Sequence, residues 1–169
     1  MELTSCSVVE ISVGSKTADF DCGNQLLNNW LASYALAANS AHSTKVYVLE
    51  NTSKSVLGYY ALSMGQIEFE AGTSRMKKGL GRYPIPIVLI TRLAVDKSVQ
   101  GLGVGVGLLR EAVMKALIAS VGVGAVGIAV NPIDEMARNF YLRFGFEESP
   151  INDGILMIRF KDLRIVLSI

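Results

Sequence analysis

Cysteine is scarce in this sequence of 169 residues: only Cys6 and Cys22 occur, without metal-type spacing and without a second pair that would make a framework. The composition therefore predicts a reduced, cytosolic protein with no disulfide network and no metal centre. Histidine is scarcer still, since His42 stands alone in the polar stretch Asn39 to Thr44, where it reads as a surface residue rather than a general base. Neither sign of charge dominates. Sixteen Lys and Arg against fifteen Asp and Glu leave a formal net charge of +1, which excludes bulk attraction to nucleic acid or anionic membrane and requires any basic patch to be local. No window approaches 18 uninterrupted apolar residues, so no membrane span is expected. The opening MELTSCSVVEISV alternates polar and apolar positions and lacks the basic and continuous apolar regions of a secretory signal.

What the sequence does have is apolar content, 50% of its residues, enough for one core and a single domain over residues 1–169. Residues 6–13 alternate like a strand. Phe20-Asp21-Cys22-Gly23-Asn24 then supplies a helix start capped by Asp21 or Asn24, and Leu27, Trp30, Leu31, Tyr34, Ala35 and Ala38 recur at helical steps to give one buried face. Two β-rich runs, Tyr47 to Leu49 and Gly58 to Met64, predict a hairpin. The stretch Gly72 to Tyr83, with Arg75, Lys77, Lys78 and Arg82, reads as a basic, mobile loop. A strand from Ile85 to Val95, a glycine turn and a helix running on from Leu102 follow. A buried strand at Ala125 to Val130, a helix from Pro132 to Phe144 stopped by Gly145, and strand-like runs at Leu156 to Phe160 and Ile165 to Leu167 complete the chain.

Two constellations carry chemistry. Gln100-Gly101-Leu102-Gly103-Val104-Gly105 lies between a strand and a helix N-terminus, where unpaired backbone N–H groups and the helix dipole favour a phosphate-sized anion. A dinucleotide fingerprint would place glycine three positions after Gly103, but Val106 stands there, and no Lys-Ser or Lys-Thr follows to make a Walker loop. The same run also suits a plain glycine-rich turn between strand and helix. In the second constellation Ala137 and Tyr141 stand one turn apart on one helix face. The small residue leaves room for a ligand, and a phenol can protonate a departing thiolate; Tyr141 also suits a plain amphipathic core position.

Taken together, Arg92-Leu93-Ala94-Val95-Asp96, then Gln-x-x-Gly-x-Gly, then Ala-x-x-Phe-Tyr-x-x-Phe-Gly-Phe resemble the GNAT acetyltransferases, most closely the acetyltransferase toxins of bacterial toxin-antitoxin pairs. Phe20 to Asn24 with Trp30-Leu31, Gly58 to Leu62, and Pro84-Ile85-Pro86 carry the resemblance to that subgroup. It implies an α/β (α+β) fold with a central mixed, mostly antiparallel sheet, splayed between the fourth and fifth strands and flanked by helices. It implies acetyl-CoA bound by Leu93, Ala94, Val95, Gln100, Gly101, Leu102, Gly103, Val104, Gly105 and Ala137, with Tyr141 as general acid.

Members of that subgroup acetylate the α-amino group of aminoacyl-tRNA, block translation and are silenced by a ribbon-helix-helix antitoxin. Arg92, Lys77, Lys78 and Arg82 are the candidate substrate contacts, and a homodimer is a further expectation. Leu102 stands where such toxins often carry a basic residue, and Asn131 where histidine is frequent. The alternatives are a GNAT enzyme acting on a small amine or a protein N-terminus, and a non-catalytic acetyl-CoA-binding module.

Overall fold

A computed structural model describes the backbone of residues 3–167 and the side chains of residues 3–163. The strands β1 (Ser7–Glu10), β2 (Lys45–Glu50), β3 (Val56–Ile67), β4 (Ile85–Val95), β5 (Gly127–Val130), β6 (Glu147–Glu148) and β7 (Leu156–Arg159) form a seven-stranded sheet in the order β1-β2-β3-β4-β5-β7-β6. Its ladders are antiparallel at β1/β2, β2/β3, β5/β7 and β6/β7 and parallel at β4/β5. The parallel pairing covers Ile87–Ile90 against Gly127–Val130, and β4 runs on beyond it to Val95. Backbone contacts divide the chain into two compact units, Met1–Ser63 with Thr91–Ala112, and Met64–Ile90 with Val113–Ile169.

In the first unit the expected hairpin is present, with Tyr47 opposite Tyr60 and Val48 opposite Tyr59. Burial alternates along β2, so Val46 and Val48 join Leu31, Ala35, Tyr59, Ala61 and Ala94 in one cluster. The helix predicted after Asn24 is two helices, α1 (Gln25–Ser33) and α2 (Ala35–Ser40). Asn24 caps α1 by accepting from the Leu27 N–H, as the sequence suggests. The break falls at Tyr34, whose backbone leaves the helical region at φ −126°. The apolar spacing runs straight through it and conceals it. The strand expected over residues 6–13 is confined to β1.

In the second unit Ile67, Met76, Ile85, Ile87, Ala129 and Met157 form the core. The basic loop differs from the open segment expected. Thr73 accepts from the Met76 N–H at 3.2 Å and caps one turn of helix, α3 (Ser74–Lys77), which drives Met76 into that core at 1% exposure. The helix carrying Tyr141 is α5 (Glu135–Arg143), and it begins later than Pro132 because the Asp134 carboxylate caps it through the Ala137 N–H at 2.8 Å. Gly145 follows at φ +90°, the stop expected. The last segment overturns its strand-like reading. Phe160–Leu167 is helical, α6, with Asp162 in its first turn paired to Arg159 at 2.9 Å.

Candidate active site

Within the first unit, the end of β4 is tied to the turn before α4 (Val104–Gly122) by a single side chain. Gln100 donates through Nε2 to the Val95 carbonyl at 2.8 Å and to the Cys22 carbonyl at 3.1 Å. The Lys97 N–H bonds the Asp21 carbonyl at 2.8 Å, and the Asp21 N–H bonds the Asp96 carboxylate at 2.9 Å. Leu93, Ala94, Val95 and the glycine run are thereby held to the segment that precedes α1. This long-range latch had no signal in the sequence. Gln100, expected at the cofactor, spends its side-chain amide on the latch.

Gly101 and Gly103 adopt φ of +77° and +84°, a region that L side chains rarely enter. A Cβ added at either would meet no protein atom within 4 Å, so the glycines are not there to let the chain pack on itself. The turn is open backbone at the head of α4, whose first N–H groups have no partner within the helix. Exposed backbone N–H groups at a helix head are a geometry that suits an anion such as a diphosphate. Leu102 is 61% exposed and adds an apolar rim to it.

Arg92 also lies in this unit. Its guanidinium carbon sits 3.9 Å from the centre of the Trp30 ring, and partial burial lowers its pKa from the ordinary arginine value. Lys45 is paired with Glu10 at 2.7 Å, so its charge is locally compensated. His42 is exposed, as expected, at a positive φ of 59°.

Within the second unit, Tyr141 is buried at 4% exposure, with its ring 5.2 Å from Phe140 and 5.3 Å from Phe146, centre to centre. Burial pushes its phenol pKa well above the usual tyrosine value, so the group is protonated across the neutral range. Ala137 shares its helix face one turn earlier. Arg138, three residues before Tyr141, anchors α5 through an ion pair with Glu148 and a 3.0 Å bond to the Asp153 carbonyl. In the basic segment, Lys77 and Arg82 lie 5.2 and 5.9 Å from the centre of the same ring, Phe69, which gathers two cations at one place. Lys78 is exposed beside them, and Arg75 faces Glu147 at 3.7 Å.

A tRNA-acetylating toxin of Mycobacterium tuberculosis is 32% identical over 157 residues, which cover 93% of each chain. The solved structure of AtaT complexed with acetyl-methionyl-tRNAfMet superposes with a TM-score of 0.89 at 28% identity, covering 96% of this chain and 99% of that one. A tyrosine-to-phenylalanine mutant of AtaT bound to the C-terminus of the antitoxin AtaR and acetyl-CoA superposes with a TM-score of 0.83 at 26% identity, covering 98% and 99%. Residues 41–148 match the family described as the acetyltransferase (GNAT) domain, a stretch that takes in both the glycine turn and Tyr141, and the chain belongs to that family.

Proposed function

We propose that this chain is the toxin of a toxin-antitoxin pair and transfers the acetyl group of acetyl-CoA to the α-amino group of an aminoacyl-tRNA, which blocks translation. The observation that carries this reading is the reach of the likeness. The family match spans residues 41–148, whereas similarity to the tRNA-acetylating toxin spans 93% of both chains and takes in sequence outside that match. On this reading residues 1–169 act as one acetyltransferase domain.

The chain's residues divide the work. The backbone of Gly101 to Gly105 at the head of α4 binds the diphosphate of acetyl-CoA, and Leu93, Ala94 and Val95 line its thiol-bearing arm with main-chain groups. An N–H near Val95 polarises the thioester carbonyl and stabilises the oxyanion that forms on it. Ala137 leaves room beside Tyr141. The amine lone pair forms the new C–N bond, the C–S bond breaks, and the sulfur takes the phenolic proton of Tyr141. The proton shed by the attacking nitrogen returns to Tyr141 through solvent. No side-chain base is needed, because an ester lowers the α-amino pKa below the peptide value of about 7.7–8.0.

With a net charge of +1, attraction for tRNA must be local, and Lys77, Lys78, Arg82 and Arg92 supply it. A ribbon-helix-helix antitoxin and a second copy of the chain are the partners of this reading. Met114, Ile118 and Val121, exposed on successive turns of α4, offer an apolar stripe for such contacts. The deciding experiment incubates the protein with labelled acetyl-CoA and total charged tRNA, then digests and identifies the labelled aminoacyl adenosine. Label confined to a free amine acceptor, with none on charged tRNA, would replace this function with small-amine or N-terminal acetylation. Acetyl-CoA binding without transfer to any acceptor would leave a non-catalytic binding module.

A further inference from the structure

Four side chains of the first unit form one continuous stack. Phe20 meets Tyr59 edge-on at 5.5 Å, Tyr59 lies parallel to Trp30 at 6.0 Å, and Trp30 lies beneath the Arg92 guanidinium. The Tyr59 hydroxyl donates to the Leu27 carbonyl at 2.8 Å, which fixes this fully buried ring to α1, the helix that carries Trp30. The platform under Arg92 is therefore rigid.

Arg92 itself is left with an unspent valence. Among the described residues no carboxylate pairs with it, and its electrostatic environment is burial plus the Tyr59 phenol. Partly burying a guanidinium without an anion is unfavourable, and the indole face, the best of the aromatic rings for a cation, offsets it. Stacking occupies the face of the guanidinium and leaves the in-plane N–H fork free for a planar or tetrahedral anion in two-point contact. The fork is also at the right place along the strand. At ~3.3 Å per residue, Arg92 precedes the Val95 backbone by about 10 Å of β4. An aminoacyl ester carries its nearest phosphate on the same terminal nucleotide, so the anion nearest the reacting amine is a phosphodiester.

We propose that Trp30 is a positioning residue that holds Arg92 as a two-point fork for the phosphodiester of the terminal nucleotide of the charged tRNA. This rests on the aminoacyl-tRNA reading given above. The test is a double-mutant cycle on Trp30→Leu and Arg92→Gln, read as KM and kcat for charged tRNA over a salt series, with acetyl-CoA affinity and thermal unfolding measured alongside. Leucine keeps apolar bulk in the core but offers no ring face.

Arg92→Gln should raise KM about tenfold and lower the salt slope by about one contact. Trp30→Leu should raise KM several-fold with kcat held, Trp30→Phe should restore most of it, and the double variant should be no worse than Arg92→Gln alone. Fully additive losses, or a Trp30→Phe variant as poor as Trp30→Leu, would mean that Trp30 only fills the core, and the proposal fails. An Arg92→Gln variant with unchanged tRNA KM and salt slope but weakened antitoxin binding would assign the fork to a protein carboxylate and overturn it. A wild-type protein inactive on charged tRNA would sink the substrate reading itself, whereas an active one with an additive cycle sinks this inference alone.

Discussion

Tyr141, the proposed general acid, stays neutral because its ring is buried among Phe140 and Phe146 and water cannot stabilise the phenolate. Replacing it by phenylalanine removes one oxygen from a packed aromatic cluster and little else. Tyr141→Phe should keep the fold and the acetyl-CoA affinity and lower kcat by about 10²- to 10⁴-fold. Turnover within twofold of wild type takes Tyr141 out of the mechanism. Gly103 is a different kind of residue, since its φ of +84° strains any side chain while the space around it is open. Gly103→Asp adds that strain and a negative charge at the proposed diphosphate site, so calorimetry should find acetyl-CoA binding lost in a folded protein. Undiminished affinity would reduce the glycines to turn formers. The local geometry of both residues was legible in the sequence, glycine at a helix head and tyrosine one turn after alanine, and their roles remain those proposed above. The Gln100 latch and the Trp30 platform were not legible, because each is a contact between segments far apart in the chain.

Elements read from periodicity alone fared according to what ends them. The strand Ile85–Val95 matched its expected bounds, since prolines at 84 and 86 and a run of β-branched residues leave no other reading. Helix α5 was misplaced at its start because Pro132 and Asp134 both suit a first turn, and only the bond from the Ala137 N–H decides for Asp134. The Ile165 to Leu167 run suggested a strand on β propensity, yet the Arg159–Asp162 pair and helical continuity from Phe160 prevail. The basic segment Gly72 to Tyr83 hid a buried anchor, Met76, that presents Lys77 and Lys78 from a defined turn, while Arg82 joins Lys77 at the Phe69 ring. Reversing the charge of those three residues should weaken action on charged tRNA and flatten its salt dependence, while slow acetylation of a small amine analogue persists. Wild-type salt dependence in the triple variant would make the segment a merely solvated one. Equal losses on both acceptors would mean a folding or cofactor defect instead.

At the scale of the molecule, burial raises the phenols of Tyr59, Tyr60 and Tyr141 above the ordinary tyrosine value. The sign follows from linkage: a group whose folded pKa lies above its unfolded value of about 10 contributes stability that is fully present below pH 10 and is lost as pH rises further. Among the described residues the buried Tyr60 hydroxyl has no hydrogen-bond partner to share its charge. Alkaline titration followed by tyrosinate absorbance and circular dichroism should find these three ionising only as the protein unfolds. Reversible ionisation of every tyrosine with native dichroism would contradict it.

The Gln100 latch also sets a clock on biosynthesis. Cys22 and Gln100 are 78 residues apart, and the first compact unit is completed only by Thr91–Ala112, after the whole of the inserted segment Met64–Ile90 has been made. At ~5–20 residues per second a ribosome delivers the two ends of the latch about 4 to 16 s apart. Through that interval α1 and the segment before it have no docking partner for Asp21 and Cys22, and the diphosphate turn does not yet exist. An enzyme whose proposed substrate is aminoacyl-tRNA is thus inert throughout its own early synthesis, which leaves a window of seconds in which the proposed antitoxin could meet it before it is armed.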